Sequence, residues 1–213
     1  YVPLFYELIT SLQLEKSGGP GNLPVTFAEG IPVRLTRPGR ALAAWLDWQA
    51  RGFPQARLAG MIQDGLLELD GAEATHAKLA ASIRLAPIGM GRGHYLPGMR
   101  SWIEALENRK SMPRRVDESG EEFETDYLER QILIVRRLEG FIRSLLDITP
   151  ETGSTDPVLL GRAVSFLDRF ARSVNEPDNF AREALRKRIN ELSKWAEVDS
   201  GLDLRAFLTG MLD

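Results

Sequence analysis

The sequence predicts a mainly α fold: a multi-helix domain with one short two-strand β element near residues 24–35. Apolar residues recur at steps of three and four through most of the chain, the period of a helix with one buried face. Proline or a capping residue stands before most of these stretches, as at Pro38, Pro54, Pro97 and Pro177, where a helix can begin without losing a hydrogen bond. β-type runs are confined to Val25-Thr26-Phe27 and Ile31 to Leu35, on either side of the turn at Glu29-Gly30.

In chain order, Pro3 opens a helix whose face is Leu4, Leu8, Ile9 and Leu12, ending near Gln13. Glu15 to Asn22 is a polar Gly/Pro loop, and the β element follows. Ala41, Leu42, Trp45, Leu46 and Trp48 carry the next helix to Gly52. Pro54 starts another, with Leu58, Met61 and Ile62 inward and Gly65 as its stop. Ala72 to Leu85 is Ala-rich and helical, and Pro87 to Gly98 is a glycine-rich loop. Pro97 opens a helix bearing Met99, Trp102, Ile103 and Leu106.

After a polar break at Arg109 to Gly120, Ser119-Gly120-Glu121-Glu122 has capping-box spacing. The longest helix runs from about Glu122 to Ile148, with Leu128, Ile132, Val135, Leu138, Ile142 and Leu145 in one stripe. Asp156-Pro157 starts a helix with Leu160, Ala163, Val164, Leu167, Phe170, Ala171 and Val174 inward. Pro177-Asp178 starts one with Ala181, Leu185, Ile189, Leu192 and Trp195 inward, and Ser200 to Asp203 caps a last short helix with Leu204, Phe207, Leu208 and Met211. Two segments result: residues 1–110, holding the β element and several helices, and residues 111–213, a helical bundle with short connections; one continuous domain is the alternative.

With 213 residues, 43% of them hydrophobic, the chain can bury a core, and the absence of cysteine excludes disulfides and thiolate metal sites. No apolar run approaches the ~20 residues that span a bilayer, so no membrane partner is expected, and the absence of cysteine fits a reduced, cytoplasmic location. The net charge of −3 splits unevenly: residues 1–110 carry 12 basic and 10 acidic side chains, and residues 111–213 carry 15 and 20. A start at Tyr1 without Met, directly at an element boundary, is best explained by a piece of a longer protein; omission of N-terminal residues is the plainer alternative.

The motifs of catalysis are wanting. No Gly-Lys pair exists, which rules out a P-loop. Gly89-Met90-Gly91-Arg92-Gly93 lacks full dinucleotide-loop spacing and a preceding strand, and reads as a turn between helices. His76 and His94 have no second ligand at metal spacing, no Gly-x-Ser-x-Gly elbow occurs, and no Glu-x-Lys nuclease set is present. The acidic run from Asp117 to Asp126 falls on a linker and a helix start, where it meets the helix dipole favourably.

Candidate phosphate contacts come from basic sets. Arg34, Arg37 and Arg40 surround the Pro-Gly turn; Arg162, Arg169 and Arg172 share one helix face at steps of seven and three; Arg92, beside His94, sits in the glycine-rich loop. Arg182, Arg186, Lys187 and Arg188 crowd a further helix. The plainer reading of each is a solvated face with pairs such as Glu183–Lys187.

The Tyr1–Leu69 stretch resembles the helicase-like half of AddB-type subunits of bacterial helicase–nucleases and their RecB-family relatives. The resemblance is carried by Tyr1-Val2-Pro3-Leu4, by Leu23-Pro24-Val25-Thr26-Phe27-Ala28-Glu29-Gly30, and by Thr36-Arg37-Pro38-Gly39-Arg40-Ala41-Leu42, with Leu85-Ala86-Pro87-Ile88-Gly89 less diagnostic. It covers about a third of the chain, and the Glu15–Asn22 insertion departs from the family pattern. It implies a region leading into the helical insertion of the second motor domain, in a DNA repair or recombination protein whose ATPase and nuclease motifs lie elsewhere. The expectation is a non-catalytic domain needing no cofactor, whose partners are DNA, the remaining domains of the parent and a partner subunit. A helical protein–protein interaction or scaffold domain without a nucleic-acid role is the alternative.

Overall fold

A computed structural model describes residues 32–69, 74–111, 121–151, 158–196 and 204–210. Among them the chain is mainly helical: α1 Arg37–Ala50, α2 Gln55–Gln63, α3 His76–Leu85, α4 Tyr95–Ser111, α5 Glu121–Ile148, α6 Val158–Arg169, α7 Glu176–Ala196 and α8 Leu204–Gly210. Single 3-10 turns at Val33–Leu35 and Arg92–His94 precede α1 and α4.

The core is organised around α1. Trp45 and Trp48 are fully buried on it, and each indole N–H finds a distant acceptor: Trp45 Nε1 donates to Thr149 Oγ1 at 3.0 Å, and Trp48 Nε1 to the Tyr95 hydroxyl at 2.9 Å. The Trp45 ring stacks on Phe166 of α6 (4.8 Å between centroids), while Trp48 meets Phe53 and Tyr95 edge-on. These geometries add to the area the rings bury. Thr149 passes the interaction on, donating to Leu145 O at 2.6 Å. One cluster of buried side chains runs from Ala41 to Leu208 and includes residues on both sides of position 110.

The helix ends are tied by side chains. Thr36 caps α1, its Oγ1 accepting from Gly39 N at 3.3 Å. Gly39 is required by the adjoining turn, because a Cβ there would collide with the Val33 carbonyl. Asp178, 1% exposed, joins the starts of α1 and α7: its carboxylate accepts the N–H of Arg37 at 3.0 Å and of Val174 at 3.2 Å, with the Arg37 guanidinium 3.5 Å away. The Asn175 side chain accepts from Asp178 N at 2.9 Å, capping α7. Gly65, at φ 63, turns the chain out of α2. The following residues pair with the segment after α6: Glu68 N donates to Phe170 O at 2.8 Å and Arg172 N to Leu66 O at 2.9 Å, forming an isolated antiparallel bridge between Leu67 and Ala171.

Of the expected two-strand element, residues 24–31 lie outside the described residues, and Val33–Leu35 forms a 3-10 turn rather than the second extended piece. Thr36 accounts for this: its hydroxyl donates to Val33 O at 2.6 Å and folds the chain back before α1. The helix expected to run on to Val174 stops at Arg169, since residues 170–172 are claimed by the bridge; Phe170 and Ala171 are buried in that segment, and Val174 is exposed. Helix α4 begins at Tyr95, before Pro97. The expected helix at 3–13, the residues 119–120 of the capping box, and the caps at 156–157 and 200–203 lie outside the described residues.

Two outcomes test this packing. Asp178→Ala leaves two backbone N–H groups and a guanidinium without their acceptor, and is expected to cost roughly 2–4 kcal/mol in urea unfolding, with Asp178→Asn intermediate. Tyr95→Phe is expected to cost about 1–3 kcal/mol at neutral pH, because Trp48 loses its acceptor. Burial pushes the Tyr95 phenol above its ordinary range, with the Trp48 N–H pulling the other way. The unfolded chain therefore gives up this proton first, so Tyr95 contributes a loss of stability as pH rises past about 10. Unfolding curves on that alkaline limb should fall less steeply for Tyr95→Phe than for the parent; equal slopes would contradict the assignment.

Candidate functional site

The arginines singled out by sequence are dispersed, and most are engaged with the protein. Arg37 is held by Asp178, and Arg40 lies 3.7 Å from Asp64 beyond α2, with both side chains about two-fifths exposed. Arg92 donates to Leu146 O at 2.8 Å and lies 3.6 Å from Glu151. There it satisfies a terminal carbonyl of α5 and sets a cation against the negative end of the helix dipole. Arg34, on the turn before α1, and Arg162, on α6, are exposed.

The expected common face of Arg162, Arg169 and Arg172 does not form, because Arg172 lies past the end of α6. Arg169 instead sits over the Phe170 ring, 5.4 Å from its centroid. Arg172 Nη1 is 3.3 Å from His76 Nε2 at the start of α3. On α7, Arg186 pairs with Asp168 at 3.0 Å and Glu183 at 2.9 Å, so Glu183 is taken by Arg186.

The glycine-rich loop is a clamp. The Gln55 side chain donates to Ile83 O and, at 2.8 Å, to Ala86 O, while its carbonyl accepts from Gly89 N at 2.8 Å. Gly91 N reaches Gly52 O at 3.1 Å, and Pro54 bridges Met90. Gly89 and Gly91, at φ 69 and 103, supply the left-handed backbone this docking needs. His94 stays exposed, its Nδ1 2.6 Å from Met90 O.

A different place has the form of a binding site. A cleft of about 350 Å³ opens between α3 and α5. Helix α4 packs along α5 closely, whereas α3 meets it over a shorter stretch, which leaves this side of α5 open. The cleft floor is apolar: Leu79 and Leu138 are buried, and Ile134 and Phe141 are partly buried against the core. Phe141 meets Phe170 edge-on at 5.5 Å, and Phe170 stacks at 6.3 Å on Phe166, so an aromatic series links the cleft floor to Trp45. Lys78, Arg130 and Arg137 stand on the rim, with no Asp or Glu among the described lining residues. Tyr127 and Leu133 also line the cleft and are 59% and 49% exposed.

Sequence reasoning passed over this set. Its signal is a second stripe on α5, Tyr127, Arg130, Ile134, Arg137 and Phe141 at steps of three and four, set beside the core stripe. Its mixed polarity hid it.

No group of three or more His, Cys, Asp or Glu among the described residues is placed to hold a metal ion, and no described helix is long and apolar enough to cross a membrane. No family model, no curated protein and no solved structure matches the chain.

The contact between His76 and Arg172 has a titration consequence. Burial first, and then the Arg172 charge, hold the His76 imidazole below its ordinary range, with Glu68 pulling upward. The unfolded chain then binds this proton more readily, so stability is lost as pH falls below about 6.5. In an NMR titration His76 should titrate below a free histidine, and Arg172→Gln should raise it. An unchanged midpoint would show that Arg172 does not act on the ring.

Proposed function

We infer that the chain is a non-catalytic helical module of a bacterial helicase–nuclease-like DNA repair or recombination protein, and that it contributes to DNA binding or to contacts between domains. The observation that carries this reading is the resemblance across Tyr1–Leu69. Its Thr36-Arg37-Pro38-Gly39-Arg40-Ala41-Leu42 portion builds the start of α1, the helix at the centre of the core, with Thr36 capping it and Gly39 packed against Val33. That stretch thus has a structural task, as a motif shared among scaffolds would.

In this reading Arg34, Arg37, Arg40 and Arg162 are the candidate phosphate contacts, all with exposed or partly exposed side chains. Arg92 and Arg172 serve the fold, through Leu146 and His76.

A second reading, a protein–protein interaction or scaffold domain with no nucleic-acid role, draws on the internal partners of Arg37, Arg40, Arg92 and Arg172. Fluorescence anisotropy with labelled forked and single-stranded DNA separates the two. The first reading expects binding at low salt whose logarithm falls with the logarithm of salt concentration, by roughly 0.7 per neutralised phosphate on a single strand. It also expects Arg34→Glu combined with Arg162→Glu to flatten that slope. Absence of binding at low salt favours the second reading.

A further inference from the structure

Residues 89–94 lie across the turn between α1 and α2, and they do so without burying a side chain. Ile88 before them and Tyr95 after them are buried, at 4% and 0% exposure, whereas the residues between are all exposed or partly exposed. Hydrogen bonds hold this stretch down. Gln55 N donates to Gly89 O at 2.9 Å, Gly89 N donates to Gln55 Oε1 at 2.8 Å, and Gly91 N lies 3.1 Å from Gly52 O and 3.3 Å from Phe53 O. The Arg92 guanidinium ties the same stretch to the end of α5 through Leu146 O at 2.8 Å. Three of its residues, Gly89, Gly91 and Gly93, are glycines, which regain more conformational freedom on release than any other residue type. A segment with little buried apolar area and surface hydrogen bonds opens at a lower free energy than a packed core. The adjoining α1, with Trp45 and Trp48 fully buried, is the opposite case.

We propose that residues 89–94 are a strap that lifts from the Gly52–Phe53 turn as one unit, pivoting at the buried anchors Ile88 and Tyr95 while α1 stays packed. Its hydrogen bonds break together, because Gln55 pairs with Gly89 in both directions and Gly91 follows two residues on. What the strap holds is a strained turn. Phe53 sits at φ 62, the one non-glycine residue in the left-handed region among the described residues, where a bulky side chain is disfavoured. Its N–H donates to Trp48 O at 2.8 Å, and its carbonyl accepts from the Tyr95 hydroxyl at 3.1 Å as well as from Gly91 N. Lifting the strap withdraws the Gly91 N–H and leaves that carbonyl to Tyr95. The connection between α1 and α2 is therefore held most firmly when the strap is closed.

Two glycines of the strap bear on this motion with opposite sign. Gly91 has φ 103, which an L side chain adopts only under strain, so alanine there penalises the closed strap. Gly93 lies outside the left-handed region, and a Cβ there would meet nothing within 4 Å. Alanine at that position narrows the freedom of the lifted strap and favours the closed one. The motion belongs to the chain itself and holds under either reading of its function.

Native-state hydrogen exchange of the full chain, followed by NMR and corrected for intrinsic rates, tests this. The amides of Gln55, Gly89 and Gly91 should share one opening equilibrium, about tenfold or more above that of the Trp45 and Trp48 amides in α1. Low concentrations of urea should leave strap exchange nearly unchanged while accelerating exchange in α1, because lifting the strap exposes little surface. Gly91→Ala should speed exchange at Gln55, Gly89 and position 91 by a common factor of about fivefold or more, and Gly93→Ala should slow it by about two- to fivefold. Strap amides with the same urea dependence as α1 would overturn the proposal, since they would then open only with the whole fold. So would a Gly91→Ala effect that stops short of Gln55, or shifts of the same sign in the two variants.

Discussion

Two indole rings on one helix have to be buried, and their N–H groups cannot be buried alone. An unpartnered buried donor costs roughly 1–3 kcal/mol, so the positions of Trp45 and Trp48 dictate where hydroxyls must stand. Thr149 and Tyr95 meet that demand from sites 104 and 47 residues away along the chain. In meeting it they fix the end of α5 and the start of α4 against α1. The aromatic contacts then spread outward through Phe166 and Phe170 to Phe141, and with them the placement of α6 and of one side of α5. The remaining ties operate at helix ends: Asp178 between α1 and α7, Gln55 across the glycine-rich loop, and the Leu67–Ala171 bridge. The exposed ion pairs between α4 and α5, such as Lys110–Glu129 and Arg136–Glu107, add little by comparison.

Much of this was legible locally. Helical periodicity located the helices, Gly65 marked a true stop, and the inward stripe of α5 matches its buried residues Leu128, Ile132, Val135, Leu138, Ile142 and Leu145. What local pattern could not convey was competition from distant chain. Residues 170–174 continue the helical spacing of α6, yet Leu66 and Glu68 take the backbone of residues 170 and 172 for a bridge. Val33-Arg34-Leu35 has the apolar–polar–apolar alternation of a short strand, yet the Thr36 hydroxyl bends it into a 3-10 turn. In both cases a hydrogen bond with a specific geometry overrides propensity.

The same limit governs the basic residues. From sequence, an arginine is a free charge. In the fold, Arg37 meets a carboxylate 141 residues away and Arg172 a histidine 96 residues away. Lys78, Tyr127, Arg130 and Arg137 belong to no motif, and the fold brings them around one concavity between α3 and α5. A basic residue's use is therefore decided by where its partners happen to fold.

The dependence of the fold on buried indole donors is tested most directly by a double-mutant cycle on Trp45→Phe and Thr149→Val, read by denaturant unfolding. If the indole N–H and the threonine hydroxyl hold α1 to the end of α5, the two substitutions should be less than additive, with a coupling of about 1 kcal/mol or more. Additive losses, with coupling indistinguishable from zero, would contradict the account and leave α1 as one packed helix among several.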